Sequence, residues 1–303
     1  MDIEKYYKAR ETTAGPRGRK RSEAAMRPFE AFRQGRAITQ ALLVDYQLHL
    51  QRKKLSPASV NRYCNEVRSM LNYFRKRGEC KDLTNEQVGE SLGTVKVPSK
   101  LPRVLSPDEV AGIMRALQFD NVANIRSLRA YVLVGLATGM RPGELLAIKK
   151  ADVNQELQEI RVMASKTGVE RRVPYSDSPA AAKVIDHIMK YHPGDKLLHG
   201  FRDESWQRLF QDAEVPYCEP RVLRATAATY TACSNKYNEY MLCARFGHST
   251  AVAIKHYRVP NYQVEGTTME EWLGCADRIR SLADQVCRHV PRTSKPEGAT
   301  CAT

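Results

Sequence analysis

The tetrapeptide Ser106-Pro107-Asp108-Glu109 constrains the fold of this chain more than any other stretch. Serine is a strong N-cap, proline is preorganised for the first helical position, and a glutamate three residues after the cap can bond back to the serine N–H. A helix is therefore expected to begin here. The preceding stretch, 94–105, holds Pro98, Lys100, Pro102 and Arg103 and carries little helical pattern, so it reads as a linker. A chain of 303 residues has room for about two domains. The capping box marks where the second one starts.

Upstream of the linker the pattern is helical. Leu42, Leu43, Tyr46 and Leu50 share one helix face. Ser56-Pro57 starts a second helix, in which Val60, Tyr63, Val67, Met70, Leu71 and Phe74 recur at three- and four-residue steps. Residues 37–93 thus form a small helical domain. Arg62, Arg68 and Arg75 lie off its apolar stripe, where they face either DNA or solvent. Residues 1–36 are expected to be a flexible basic arm. Its run Gly15-Pro16-Arg17-Gly18-Arg19-Lys20-Arg21 would place Arg17, Arg19, Lys20 and Arg21 along phosphates, or leave them solvated.

Downstream, residues 106–265 form the second domain. Val110, Ile113, Met114 and Leu117 line its first helix, and a more hydrophobic helix around Leu128, Val132, Leu133 and Leu136 closes at Gly139. The period changes between 158 and 175, where Ile160, Val162, Val169 and Val173 flank Lys166-Thr167-Gly168 and suggest a hairpin. Residues 266–303 supply one more amphipathic helix, through Met269, Trp272, Leu273, Ile279, Leu282 and Val286, and then a tail. The expected fold class is mainly α with a small β-hairpin or sheet (α+β).

The formal net charge of +14 favours a polyanionic partner, nucleic acid such as double-stranded DNA before an anionic membrane surface. No apolar run approaches the ~20 residues that span a bilayer, and no signal-peptide segment is evident. The eight cysteines contain no C-x-x-C pair, so neither a disulfide framework nor a zinc site is expected. The expectation is a cytoplasmic, nucleoid-associated protein, with no metal and no membrane contact.

Breaking a phosphodiester without a metal needs cationic donors on the non-bridging oxygens, a nucleophile, and an acid for the leaving oxygen. Arginine suits the first role because its planar fork is always charged. Tyrosine serves as nucleophile when nearby positive charge offsets its pKa of ~10. Arg141 and Arg224 qualify as clamps, Lys166 at a hairpin tip as acid, and Tyr257 as nucleophile. Lys149 or Lys150 could replace Lys166, and Tyr262 could replace Tyr257.

These residues lie in motifs that resemble the tyrosine recombinases, the phage integrase family. Thr138-Gly139-Met140-Arg141-Pro142-Gly143-Glu144-Leu145 is similar to the family's first arginine motif, in which the glutamate supports the arginine. Ala164-Ser165-Lys166-Thr167-Gly168 with Arg171-Arg172-Val173-Pro174 resembles its lysine hairpin. Arg221-Val222-Leu223-Arg224 matches its H-x-L-R box with one change, and Phe246-Gly247-His248-Ser249 resembles its L-G-H-S box. Tyr257 stands nine residues after His248, as the family's nucleophile does. Lys54 to Val60 looks like the family's core-binding, SAM-like helical domain, and Leu101 to Ser106 like the start of its catalytic domain.

The resemblance implies a site-specific DNA recombinase that works without cofactors through a 3′-phosphotyrosyl intermediate. Arg141, Arg224 and His248 would bind the phosphate, Lys166 would protonate the leaving 5′ oxygen, and a homotetramer would assemble on DNA, with accessory DNA-bending proteins possible. Arg221 departs from the pattern, because an arginine with a pKa above ~12 cannot take the tyrosine's proton. It is either a third cationic donor or a change that slows or abolishes catalysis. The alternatives are a type IB topoisomerase, a telomere resolvase, or a non-catalytic DNA-binding regulator on the same scaffold.

Overall fold

A computed structural model describes residues 2–80, 82–98, 102–119, 124–163, 170–249 and 264–288. Lys166 and Tyr257 fall outside them. The chain separates into two compact units, Met1–Ser99 and Lys100–Thr303.

The first unit corrects the expectation for residues 1–36. These are not a loose arm: α1 spans Ile3–Arg33. Tyr6, Ala25, Met26 and Phe29 are buried in the core of the unit, and α1 packs on α3 (Pro57–Arg75). This apolar stripe is masked in the sequence by the basic run that interrupts it. Gly15 has φ 67° and ψ −177°, a conformation close to glycine-only, and Pro16 follows, so the helix is broken there. Glu4 and Arg19, fifteen residues apart, form a 2.7 Å ion pair. A straight helix would hold their backbones about 22 Å apart, so the break folds the helix back on itself. α2 (Gln40–Arg52) and α4 (Asn85–Ser91) complete the unit around Leu43, Tyr46, Leu50, Val67, Met70 and Phe74.

In the second unit α5 (Pro107–Ala116) begins at the expected capping box. The Ser106 hydroxyl accepts the Glu109 N–H at 3.2 Å, and Glu109 Oε2 accepts the Ser106 N–H at 2.8 Å. α6 (Ile125–Thr138) is buried on nearly every face, as its composition demands. α7 (Pro142–Leu145) is a single turn. The sheet is antiparallel in the order β1 (Val153–Asn154), β2 (Glu159–Met163), β3 (Glu170–Pro174). β2 and β3 are the expected hairpin, with Ile160 opposite Val173 and Val162 opposite Arg171. β1 is unexpected, because two residues are too few to show a period. α8 (Pro179–Tyr191), α9 (Asp203–Asp212), α10 (Val222–Cys233) and α11 (Glu239–Phe246) follow, and α10 lies on α6. No helix among the described residues is long and apolar enough to cross a membrane.

The C-terminal pattern read as one helix is two, α12 (Met269–Trp272) and α13 (Ala276–Cys287), parted at Gly274 with φ 68°. Both pack on their own unit. α13 lies on α5, α6 and α8, and Glu270 Oε1 accepts from the Ser178 hydroxyl and the Ala180 N–H at the start of α8.

Candidate functional site

The three motifs that lie within the described residues converge where α6, α10 and α11 end or begin. α6 ends at Gly139, whose φ of 60° puts it in the left-handed region. That reversal sends the chain into Arg141, which caps α7. Glu144 holds it twice: Oε2 accepts the Arg141 backbone N–H at 2.9 Å, and Oε1 accepts the guanidinium at 2.8 Å. The Arg141 side chain is 42% exposed, and its other terminal nitrogen donates to the Gly247 carbonyl at 3.2 Å. A cation held at its root and open at its tip can meet an external anion.

Arg224, two residues inside α10, is buried. It donates to the Gly139 carbonyl at 3.0 Å and to the Phe246 carbonyl, so one guanidinium joins the C-terminal ends of α6 and α11. Unsatisfied carbonyls and the negative end of the helix dipole suit a cation there. Gly247, with φ 60°, terminates α11 and presents His248, whose ring stacks near Phe246 at 6.1 Å and 10°. The His248 imidazole is held below its ordinary pKa first by burial and next by the Arg224 guanidinium, with Arg141 adding to the effect against two opposing backbone hydrogen bonds. Both arginines are thus close enough to act on His248. Burial and the two cations therefore favour the neutral ring, which carries one N–H. Arg221 is exposed at the start of α10, one helical turn before Arg224. Among the described residues, no group of three or more His, Cys, Asp and Glu side chains could hold a metal ion.

Behind these residues lies a buried charge network of which the sequence indicated only Glu144. Arg171 on β3 grips Glu144 with two nitrogens, at 3.2 and 2.6 Å, and donates a third bond to the Arg245 carbonyl at 3.2 Å. Burial alone would raise the Glu144 pKa. The hydrogen bonds from Arg171 and from the Arg141 backbone overcome this and hold the carboxyl down to about 2. Arg245 in turn donates to Asp177 Oδ2 at 2.6 Å and to the Ala137 carbonyl at 2.8 Å, and Asp177 also accepts from Lys236 and Tyr237. One signal pointed to Arg171. It stands two residues before the buried Val173, so a charged residue occupies a core-facing strand position.

The DNA-contact residues expected in the first unit differ in their surroundings. Arg17, Lys20, Arg21 and Arg62 are exposed. Arg19 is occupied by Glu4, Glu11 and Glu23, Arg68 donates to Asn65, and Arg75 donates to Asn72 and Asn85. An arginine shared among three carboxylates is poorly placed to neutralise a phosphate.

The left-handed glycine that ends α6 limits substitution. A Cβ on Gly139 would lie 2.3 Å from the Phe246 ring, whereas one on Gly143 would meet nothing within 4 Å. Gly139→Ala is expected to destabilise the second unit by about 2–4 kcal/mol, from overpacking plus the positive φ. Gly143→Ala should be neutral or stabilising by up to about 1 kcal/mol. Urea unfolding midpoints of the two variants test this contrast, and coincident midpoints would refute it.

The phage integrase family model matches residues 103–263, more than half of the chain. The tyrosine recombinase XerD of Ralstonia nicotianae is 28% identical over 127 residues, covering 42% of this chain and 39% of that protein. XerD of Halalkalibacterium halodurans is 25% identical over 222 residues, covering 65% and 70%. In the first three curated relatives matched, the chain spans 39%, 57% and 34% of the relative's own length. Among solved structures, a lambda integrase (75–356) dimer bound to a COC′ core site has a TM-score of 0.63 at 16% identity, covering 82% of this chain and 95% of that one. That likeness is one of fold.

Proposed function

The chain belongs to the phage integrase family, and we propose that it is a site-specific recombinase that cuts and rejoins DNA through Tyr257. The observation that supports this most is the convergence of Arg141, Arg224 and His248. They come from three separated motifs, and the two arginines donate to the Gly247 and Phe246 carbonyls, the two residues that lead into His248. Two fixed guanidinium groups and a neutral N–H donor, preorganised around one spot, suit the spread negative charge of a phosphate in transition.

In the proposed reaction Tyr257 Oη attacks the scissile phosphorus. A 3′-phosphotyrosyl bond forms, the bond to the 5′ oxygen breaks, and Lys166 gives that oxygen a proton. Arg221 adds positive charge and favours ionised tyrosine; the phenolic proton passes to water or to a DNA phosphate oxygen. The 5′-hydroxyl of the partner duplex then attacks the phosphotyrosine, which restores a phosphodiester and frees the enzyme. Exchange between two duplexes cuts four strands, so the working assembly is a homotetramer on DNA. The lambda integrase tetramer bound to a Holliday junction, a relative in fold, is consistent with that count.

The test uses fluorescent nicked duplexes tiled across the DNA flanking the gene. The expected result is a denaturation-resistant protein–DNA adduct on one duplex with the native chain, and no adduct with Tyr257→Phe. If the protein binds a tile tightly yet never forms the adduct, it is a non-catalytic regulator. Relaxation of a supercoiled plasmid that lacks the site would instead make it a topoisomerase.

A further inference from the structure

Arg171 lies in a buried charge cluster, and the proposed reaction gives it no direct role. The Arg171 side chain is 8% exposed, and each of its three nitrogens is already held within the protein by Glu144 or by the Arg245 carbonyl. Their contacts run in two directions. Toward Arg141, the two Glu144 oxygens that Arg171 grips are the same two that hold the Arg141 guanidinium and backbone N–H. Toward His248, Arg171 Nε holds the Arg245 carbonyl in the last turn of α11, and a Cβ on Gly247 would stand 3.0 Å from Arg171 Cδ. The absent Gly247 side chain is what lets the β3 arginine lie against the turn that carries His248. Arg172, the next residue, points the other way, with its side chain 65% exposed against Glu159.

We propose that Arg171 is a positioning residue that sets the Arg141 guanidinium and the Gly247–His248 turn at their working separation, acting through Glu144 and the end of α11 and never on DNA itself. β3 continues directly from the hairpin segment that contains Lys166, so the same arginine ties the root of that strand to the arginine clamp. A guanidinium is required, because three donors must be held in one plane in two directions; an ammonium cannot grip a carboxylate side-on and reach the Arg245 carbonyl as well. Loosening this brace leaves the donors present but misaligned, and displacement by about 1 Å can cost on the order of 10²-fold in rate.

This inference rests on the recombinase reading, and the experiment separates the two. Single-turnover cleavage of the adduct-forming nicked duplex is measured for the native chain, Arg171→Lys, Arg141→Lys and the double variant, with Arg172→Lys as control. Duplex affinity and thermal unfolding are recorded for each. Arg171→Lys is expected to keep duplex affinity within about threefold and to lose on the order of 10²-fold in rate per folded molecule. In the Arg141→Lys background the same change should cost less than about threefold, because the residue it positions is already impaired. Arg172→Lys should leave the rate unchanged. Full additivity of the two losses, or a loss carried by affinity or by the folded fraction alone, would overturn the proposal while the recombinase reading stands. If the native chain forms no adduct, it is the recombinase reading that fails. Should Arg171→Lys not fold, Arg171→Gln enters the same cycle.

Discussion

Lysine in place of Arg224 is expected to slow strand cleavage by about 10²–10³-fold, the loss typical when one preorganised transition-state donor is removed. The reason is geometric rather than a matter of charge, which the substitution keeps. The native guanidinium bonds the Gly139 and Phe246 carbonyls at once, and its planar fork fixes which edge is left toward the site. An ammonium on a flexible stem cannot bond two diverging carbonyls and a phosphate with the same alignment. It also leaves a buried carbonyl short of a donor at the end of α6 or α11, at a cost of about 1–3 kcal/mol. The rate loss should therefore come with a modest loss of stability. Single-turnover cleavage at saturating nicked duplex, corrected for the folded fraction, measures it. A rate within threefold of native would mean that Arg224 is a structural tie and not a phosphate donor.

Asp177→Asn is expected to destabilise the second unit by about 3–5 kcal/mol, as removal of one partner from a buried ion pair generally does. Asp177 and Arg245 are 1% and 2% exposed, so the arginine would be left charged without a counterion. For a unit of this size the melting temperature should fall by roughly 6–20 °C. Replacing both partners by apolar residues, Asp177→Leu with Arg245→Met, should recover much of the loss, because the desolvation of both charges disappears with them. Burial alone would raise the Asp177 pKa, but hydrogen bonds from Lys236, Tyr237 and Arg245 bring it below the ordinary carboxylate value. The sign follows from that depressed pKa. The stabilisation is complete above the unfolded carboxylate pKa of about 4 and is lost as the pH falls through the lower folded value. Thermal melts across that range should show a steeper acid loss for the native chain than for the asparagine variant. Equal stability of native and Asp177→Asn at neutral pH would show that the network is not a brace.

Much of the candidate site within the described residues was legible because those residues sit in short motifs whose chemistry is local. Arg141 with Glu144 three residues on, and Gly247 before His248, are each set by one turn of chain. The fold class was legible for a similar reason: Ser56-Pro57 and the Ser106 capping box declare helix starts through residues within hydrogen-bond reach. What was misread had a longer range. The N-terminal basic run hid a helix, because the stripe of Tyr6, Ala25, Met26 and Phe29 means little until α3 is there to receive it. Gly274 split an apolar pattern that looks continuous on a helical wheel.

The sequence by itself determined where the capped helices begin, where the period changes to that of a hairpin, and which residue types could bind a phosphate. These are properties of backbone dihedrals and of bonds between near neighbours. Only the tertiary structure decided which charges turn inward. Arg171 and Arg172 are adjacent and identical in kind, yet one is a buried brace and the other a solvated surface cation. Arg245 and Asp177 find each other across 68 positions of chain. A charge is stable inside a protein only when its partner is brought to it, and that depends on how α6, α10, α11 and the hairpin pack together, which no local stretch of the chain specifies.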